Sequence, residues 1–409
     1  MTISNIDPAA AYLVSGTRTP VGRYGGSLSS VRPDDLLALT IKATMDKSGL
    51  DPAVVDEVII GNANGAGEEN RNVARMSWLL AGYPVTVPGM TVNRLCASSM
   101  SAIALGAALV GSGQEDVILA GGVESMSRAP WVMEKPGKAF AKPGEVFDTA
   151  IGWRFVNKKF AELGLSTYSM PETAEEVANQ YRITRQEADE FAVASQTKAL
   201  AAIEAGKFAP EIIPVEVTDR KGNVTVVDTD EGPRPGTTME VLAKLRPVTK
   251  LGDVTTAGNA SSLNDGASSV IVASGAAVEK YGLSPRARIA AATAAGVQPE
   301  IMGTGPVPAT RKILERTGWS LDQIDAVELN EAFATQSIAC MRDLGLSGEQ
   351  SEKVNAWGGA IALGHPLGNS GARITLTLLN RMEQEDLERG IATMCVGVGQ
   401  GTAIALERV

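Results

Sequence analysis

Apolar positions along the chain fall into two alternating textures. Short aliphatic runs at Val58-Ile-Ile60, Val117-Ile-Leu-Ala120, Val327-Glu-Leu329, Ile391-Ala-Thr-Met394 and Thr402-Ala-Ile-Ala-Leu406 predict buried strands. Between them, Asp35–Lys47 and Pro308–Arg316 carry their apolar residues at helical spacing, as amphipathic helices do. The stretch Ala97–Val110 is apolar nearly all round, which predicts a helix buried on every side. Strands alternating with helices predict an α/β fold.

The pattern also repeats. Residues 49–58 (GLDPAVVDEV) align without a gap on residues 318–327 (GWSLDQIDAV), matching Gly49 with Gly318, Val55 with Ile324, Asp56 with Asp325 and Val58 with Val327. Each copy follows an amphipathic helix and leads into a strand. Further on, Thr91-Val-Asn93 is echoed by Lys353-Val-Asn355, each ahead of a small-residue segment and a helix. A duplicated α/β unit is expected, its halves covering residues 1–272 and 280–409. Residues 123–250 have a different texture, with capping-box signatures at Thr173-x-x-Glu176 and Thr184-x-x-Glu187, the second opening a helix to about Ala205. Irregular stretches at Trp131–Phe147 and Asp228–Gly236 surround these helices. An insertion this long is expected to be a lid or ligand-binding subdomain.

Composition narrows the function classes. The 409 residues suffice for two or three domains at roughly 100–200 residues each. Charge is 37 − 47 = −10, and so acidic a surface repels phosphate backbones, which argues against nucleic acid as the main partner. No window is apolar enough to span a bilayer, and neither terminus carries a secretory, transit or peroxisomal signal, so a cytoplasmic protein is expected. Three scattered cysteines cannot build a disulfide scaffold, and a single histidine gives a zinc cage almost no ligands.

Against that background a few residues stand out. Cys96 opens the buried helix, where free N–H groups and the helix dipole are expected to favour the thiolate. His365 lies between Gly364 and Pro366, a setting foreign to a helix interior and suited to acid–base work from a loop. Cys395 follows the penultimate strand and precedes Val396-Gly-Val-Gly-Gln-Gly401. Those glycines are not a nucleotide fingerprint, because a strand rather than a helix follows them. They let a ligand approach the backbone, and their N–H groups suit a developing oxyanion. Asn330-Glu331 closes a strand of the second half, whereas Cys340, inside a helical run, reads as structural. A Cys–His–Asn set with a second cysteine suits acyl transfer through a thioester.

Five motifs, Asn93-Arg-Leu-Cys96, Thr256-Ala-Gly-Asn-Ala-Ser261-Ser-Leu-Asn-Asp-Gly266, Asn330-Glu-Ala-Phe333, Gly358-Gly-Ala-Ile-Ala-Leu-Gly-His-Pro366 and Cys395-x-Gly397, carry a family resemblance. In order and over essentially the whole chain, they resemble the thiolases, which are acetyl-CoA acyltransferases. The resemblance implies a duplicated five-layered α-β-α-β-α fold with an inserted loop domain, and a homo-oligomer, dimer or tetramer. It implies Cys96 as the acylated nucleophile, His365 as its activator and Cys395 as the acid–base at the α-carbon. One oxyanion site would use His365 and a water held by Asn330; the other would use the N–H groups of Cys96 and Gly397. Arg234, Ala257 and Ser261 would contact CoA, with Met170, Met302 and Phe333 at the pocket. Coenzyme A enters as substrate, and no metal or organic cofactor is required.

Within the family, Gly67–Arg75, Ile151–Asn157 and Cys395–Gly401 resemble the 3-oxoadipyl-CoA thiolases of aromatic catabolism. The chain departs from the common pattern at Ala97 and Ser99 (glycines in most members), Trp357, Asn369 and Ser169, positions expected to bear on acyl-chain choice. Trp357 and Ser99 are expected to narrow the pocket. A dicarboxylic acyl chain needs a cation, for which Arg71, Arg75 and Arg154 are the candidates. The alternative reading is a non-catalytic acyl-CoA or lipid binder on the same fold; a decarboxylating ketoacyl synthase would need a second histidine.

Overall fold

The computed structural model describes residues 6–409. In chain order the first half contributes β1 (Ala11–Arg18), α1 (Pro33–Ser48), β2 (Glu57–Gly61), α2 (Val73–Leu80), β3 (Gly89–Val92), α3 (Ser98–Gly111) and β4 (Val117–Ser125). The insertion holds α4 (Met170–Tyr181) and α5 (Arg185–Glu204), and β5 (Asn264–Ser274) returns to the sheet. The second half follows as β6 (Ala287–Gly296), α6 (Pro306–Thr317), β7 (Ala326–Leu329), α7 (Ala334–Leu344), α8 (Leu367–Gln384), β8 (Arg389–Val396) and β9 (Gln400–Arg408).

Strand pairing establishes the duplication. In the first half β1 pairs β5 and β5 pairs β4 antiparallel, while β4 pairs β2 parallel. The second half repeats this with β6–β9 and β9–β8 antiparallel and β8–β7 parallel. The Thr91/Lys353 echo also has a structural meaning. Thr91 and Val92 in β3 pair in parallel with Ile60 and Gly61, and Val354 makes a lone parallel bridge to Val327. The two halves join edge to edge where Tyr12 faces Arg288 and Leu13 faces Ala287.

Burial sorts the helices into layers. α3 and α8 lie between the halves, Met100, Ile103, Ile374 and Leu378 sharing one core with Ile59, Ile118, Met394 and Ile404 from the strands. On one outer face, Leu36, Leu37 and Ile41 of α1 and Trp78 of α2 cover Val58 and Ile60. On the other, Ile313 of α6 and Cys340 of α7 cover Val327, Leu329 and Ile391. The result is the expected five-layered α-β-α-β-α arrangement. Cys340 is fully buried in that outer core, its thiol donating to the Gly303 carbonyl at 3.2 Å.

The insertion differs from expectation in detail. Helix α4 begins at Met170, not after Thr173; the capping box is formed by Ser169 and Glu172, while the Thr173 hydroxyl donates to the Met170 carbonyl. Both boxes fit the S/T-x-x-E pattern, and the earlier one wins because Pro171 suits the first turn. The box at Thr184 and Glu187 opens α5 as expected. Trp131–Met133 and Val146–Asp148 pair as a short hairpin within the stretch expected to be irregular.

Candidate active site

Three chain segments bring Cys96, His365 and the Cys395–Gly397 pair to a cavity of about 260 Å³. Met170, Met302, Phe333 and Ser261 complete much of its wall, and Trp153 and Arg154 enter from the insertion. Cys96 lies in a single 3₁₀ turn, Leu95–Ala97, that leads into α3. Leu95 before it has φ 47° and Val398 beyond Gly397 has φ 63°. Such left-handed backbone is unfavourable for a branched side chain, and both residues line the cavity beside the cysteines.

The expected thiolate is not what the structure holds. Burial dominates and pushes the Cys96 thiol up to about 11, against the opposing pull of the Gly397 and Cys96 N–H groups. Glu124 nearby raises it further. A short 3₁₀ turn with few free N–H groups does not offset desolvation. Cys395 is likewise pushed well above the ordinary thiol range, first by burial and then by Cys96. The two N–H groups that point at the Cys96 sulfur are the pair expected to form an oxyanion site.

His365 is held from both sides. Its Nδ1 is 2.6 Å from the Ser370 Oγ, and Ser370 gives its own hydroxyl hydrogen to the Pro366 carbonyl at 2.9 Å. Nδ1 is therefore the donor, and Nε2 carries the lone pair. Burial, with help from Arg373, lowers the imidazole to about 3. Asn330 Nδ2 lies 3.4 Å from Nε2, and Asn330 Oδ1 is buried without a partner. Asn330 thus stands beside Nε2 without being among the residues that line the cavity. The His365 N–H donates to Asn264 Oδ1 at 2.9 Å. Gly364, at φ 103°, comes so close to Asn264 that an added Cβ would lie 2.5 Å from its amide carbon.

Glu331 braces the same loop. Its carboxylate accepts from Ser195 Oγ at 2.6 Å, Asn355 Nδ2 at 2.8 Å and the Ile361 N–H at 3.2 Å. Ser370, Asn264, Ser195 and Asn355 are supports that the sequence does not flag, since a polar residue bonding a distant backbone leaves no local pattern. The motifs quoted for resemblance contain Asn264, and the internal repeat contains Asn355, but neither pattern says what the side chain bonds.

Several expectations about the pocket change. Ser99 and Trp357 do not narrow it. Ser99 Oγ turns away to accept from the Ala372 N–H at 2.8 Å, and Trp357 packs edge-on against Phe208 and donates to Glu385. Asn369 is buried in α8. Arg71 is exposed and away from the cavity, and Arg75 points its guanidinium at the Val85 and Val87 carbonyls. Of the three arginine candidates, Arg154 alone lines the cavity. Ser169 also lines it. Arg234 and Ala257 are exposed and lie outside it.

A duplicated five-layered α/β fold with two cysteines and a neutral histidine around one apolar cavity is the kind of site that suits an acyltransferase. The family models "Thiolase, N-terminal domain" and "Thiolase, C-terminal domain" match residues 11–276 and 283–408. The chain belongs to the thiolase family. It is 55% identical to the beta-ketoadipyl-CoA thiolase of Pseudomonas aeruginosa, over 97% of this chain and 99% of that one. It is 51% identical to the 3-oxoadipyl-CoA/3-oxo-5,6-dehydrosuberyl-CoA thiolase of Escherichia coli, over 98% and 99%. The crystal structure of the Bacillus anthracis acetyl-CoA acetyltransferase superposes with a TM-score of 0.91 at 40% identity, covering 98% of this chain and 99% of that one. The protein is an enzyme, a thiolase that cleaves 3-oxoacyl-CoA, and the reading as a non-catalytic binder has no support. No helix among the described residues is long and apolar enough to cross a membrane.

Proposed function

We propose that the chain is a 3-oxoadipyl-CoA thiolase in which Cys96 carries the acyl group. Neutral His365 takes the Cys96 proton on Nε2 as the sulfur attacks the 3-oxo carbon, so no resting thiolate is required. The N–H groups of Cys96 and Gly397 receive the resulting oxyanion. As the C2–C3 bond breaks, acetyl-CoA leaves as its enolate, its oxygen bonded by protonated His365 and an Asn330-held water, and Cys395 supplies the α-carbon proton. Free CoA then takes the acyl group from Cys96. The thioester itself acidifies the α-carbon, which is why a metal or organic cofactor has no step to perform. Ser261 lines the cavity while Ala257 and Arg234 are exposed outside it, and all three are assigned to contacts with the CoA chain.

Arg154 is the observation that carries the dicarboxylic reading. It lines a predominantly apolar cavity, and no salt bridge among the described residues includes it. A half-buried arginine at the wall of such a cavity suits the terminal carboxylate of a 3-oxoadipyl chain. The names of the relatives point to the same substrate. The test compares kcat/KM for 3-oxoadipyl-CoA and 3-oxohexanoyl-CoA, which share chain length and differ by the carboxylate. A preference above about 10²-fold, worth some 2.7 kcal/mol, is expected, and Arg154→Ala should collapse it. A ratio near one in the wild type ends the dicarboxylic reading.

A further inference from the structure

Glu124, at the end of β4, is 2% exposed and takes no part in the chemistry above. Its Oε2 accepts two backbone N–H groups, from Ala63 at 2.9 Å and from Gly368 at 2.8 Å. These come from opposite halves of the molecule. Gly368 is the second residue of α8, three positions after His365, where a first-turn N–H has no acceptor within its own helix. Ala63 follows β2, and its carbonyl accepts from Asn93 Nδ2 at 2.9 Å, three positions before Cys96. One carboxylate oxygen therefore ties the segment bearing His365 to the segment bearing Cys96.

The approach is built for contact. An added Cβ on Gly368 would lie 2.6 Å from Glu124 Oε2 and 2.8 Å from the Asn62 Cα. On Gly122, two residues before Glu124, it would lie 2.2 Å from the Gly368 carbonyl oxygen. Two further first-half acceptors follow along the same segment, Asn264 Oδ1 for the His365 N–H and Ser99 Oγ for the Ala372 N–H. Glu124 is the ionisable member, at the positive end of an eighteen-residue helix.

We propose that Glu124 is a positioning residue that sets His365 against Cys96 by clamping Ala63 and Gly368 to one oxygen. The proposal rests on the roles of Cys96 and His365 given above. It is tested by the rate of Cys96 acetylation from acetyl-CoA, followed by rapid quench and mass spectrometry, alongside KM. Glu124→Ala is expected to slow acetylation at least about tenfold while KM for acetyl-CoA moves less than about threefold, the pattern of misplaced reacting groups rather than lost binding. Glu124→Gln, which keeps an acceptor oxygen in place, should recover most of the rate. Gly368→Ala, which pries the same contact apart, should resemble Glu124→Ala. Acetylation at the wild-type rate in Glu124→Ala overturns the proposal. Should that variant fail to fold, the same result in Gly368→Ala does so, as does a Glu124→Gln rate as low as that of Gly368→Ala. Acetylation surviving in a Cys96→Ala control would instead overturn the nucleophile assignment, so the two failures are distinct.

Discussion

A thiol held at about 11 and an imidazole held near 3 are both uncharged at pH 7, so the site rests as a neutral pair. The same burial that suppresses the thiolate keeps Nε2 of His365 unprotonated and able to receive the thiol proton. The two cysteines are separable on this basis. Cys96→Ala should form no acyl adduct from an activated thioester, whereas Cys395→Ala should still acylate but lose α-proton exchange. Mass spectrometry with deuterium exchange at the acetyl group checks this, and equal adducts in both variants contradict the assignment. The histidine also has a thermodynamic signature. Its folded value lies below its ordinary 6.5, so it contributes stability above that pH that is lost as pH falls toward 3. Relative to His365→Asn, the wild type should lose about 2 kcal/mol between pH 8 and pH 5 in urea unfolding. Glu124 and Glu328, both pushed up to about 7, act in the opposite sense, losing stability as pH rises from the carboxylate range to 7. They are common to both proteins and cancel from the difference. A constant gap between pH 8 and pH 5 would show that the imidazole is not buried neutral.

At the scale of elements the duplication goes down to single carboxylates. Asp56 Oδ2 accepts from the N–H groups of Asp116 and Val117, both at 2.8 Å. Its counterpart Asp325 Oδ2 accepts from Glu388 at 3.0 Å and Arg389 at 2.9 Å. Each pins the start of one strand to the entry of β4 or β8. Asp56→Ala and Asp325→Ala should therefore destabilise by similar amounts, about 1–2 kcal/mol each, in chemical denaturation. One silent and one damaging substitution would show that the two turns are not equivalent. The ungapped alignment of residues 49–58 with 318–327 already marks this equivalence, because turn chemistry is local. The Thr173 capping box illustrates the limit: Ser169-x-x-Glu172 and Thr173-x-x-Glu176 both fit the pattern, and Pro171 in the first turn favours the earlier.

Across the whole molecule one buried ion cluster joins three parts of the chain. Arg18 of β1 pairs with Glu211 at 2.6 Å and with Asp230 at 2.7 Å, both acids coming from the segment inserted between β4 and β5. Glu211 also accepts from Thr377 Oγ1 at 3.0 Å and Asn380 Nδ2 at 2.6 Å of α8. Removing one partner leaves buried polar groups unpaired, so Glu211→Ala should cost about 3–5 kcal/mol. A loss below about 1 kcal/mol by denaturant titration would show that the cluster is dispensable. This network also explains why α8 escapes a sequence-based reading of its burial. It is polar along much of its length yet buried from Gly368 to Met382, and its partners lie over a hundred residues away.

Much was determined by the sequence alone: the α/β class, the duplication, the order of the thiolase motifs and the identity of the two cysteines and the histidine. These follow from period, turn chemistry and residue type, all of which act over a few residues. Tertiary structure decided the rest. Whether Cys96 rests as thiol or thiolate depends on the balance between desolvation and two N–H groups, one of them three hundred residues away at Gly397. Which arginine reaches the acyl pocket depends on how the insertion folds over the cavity, and only Arg154 does. Ser99 and Trp357 look obstructive by position but point at α8 and Phe208 instead. Proton affinity, access and direction are properties of the packed environment, and no short window of sequence contains them.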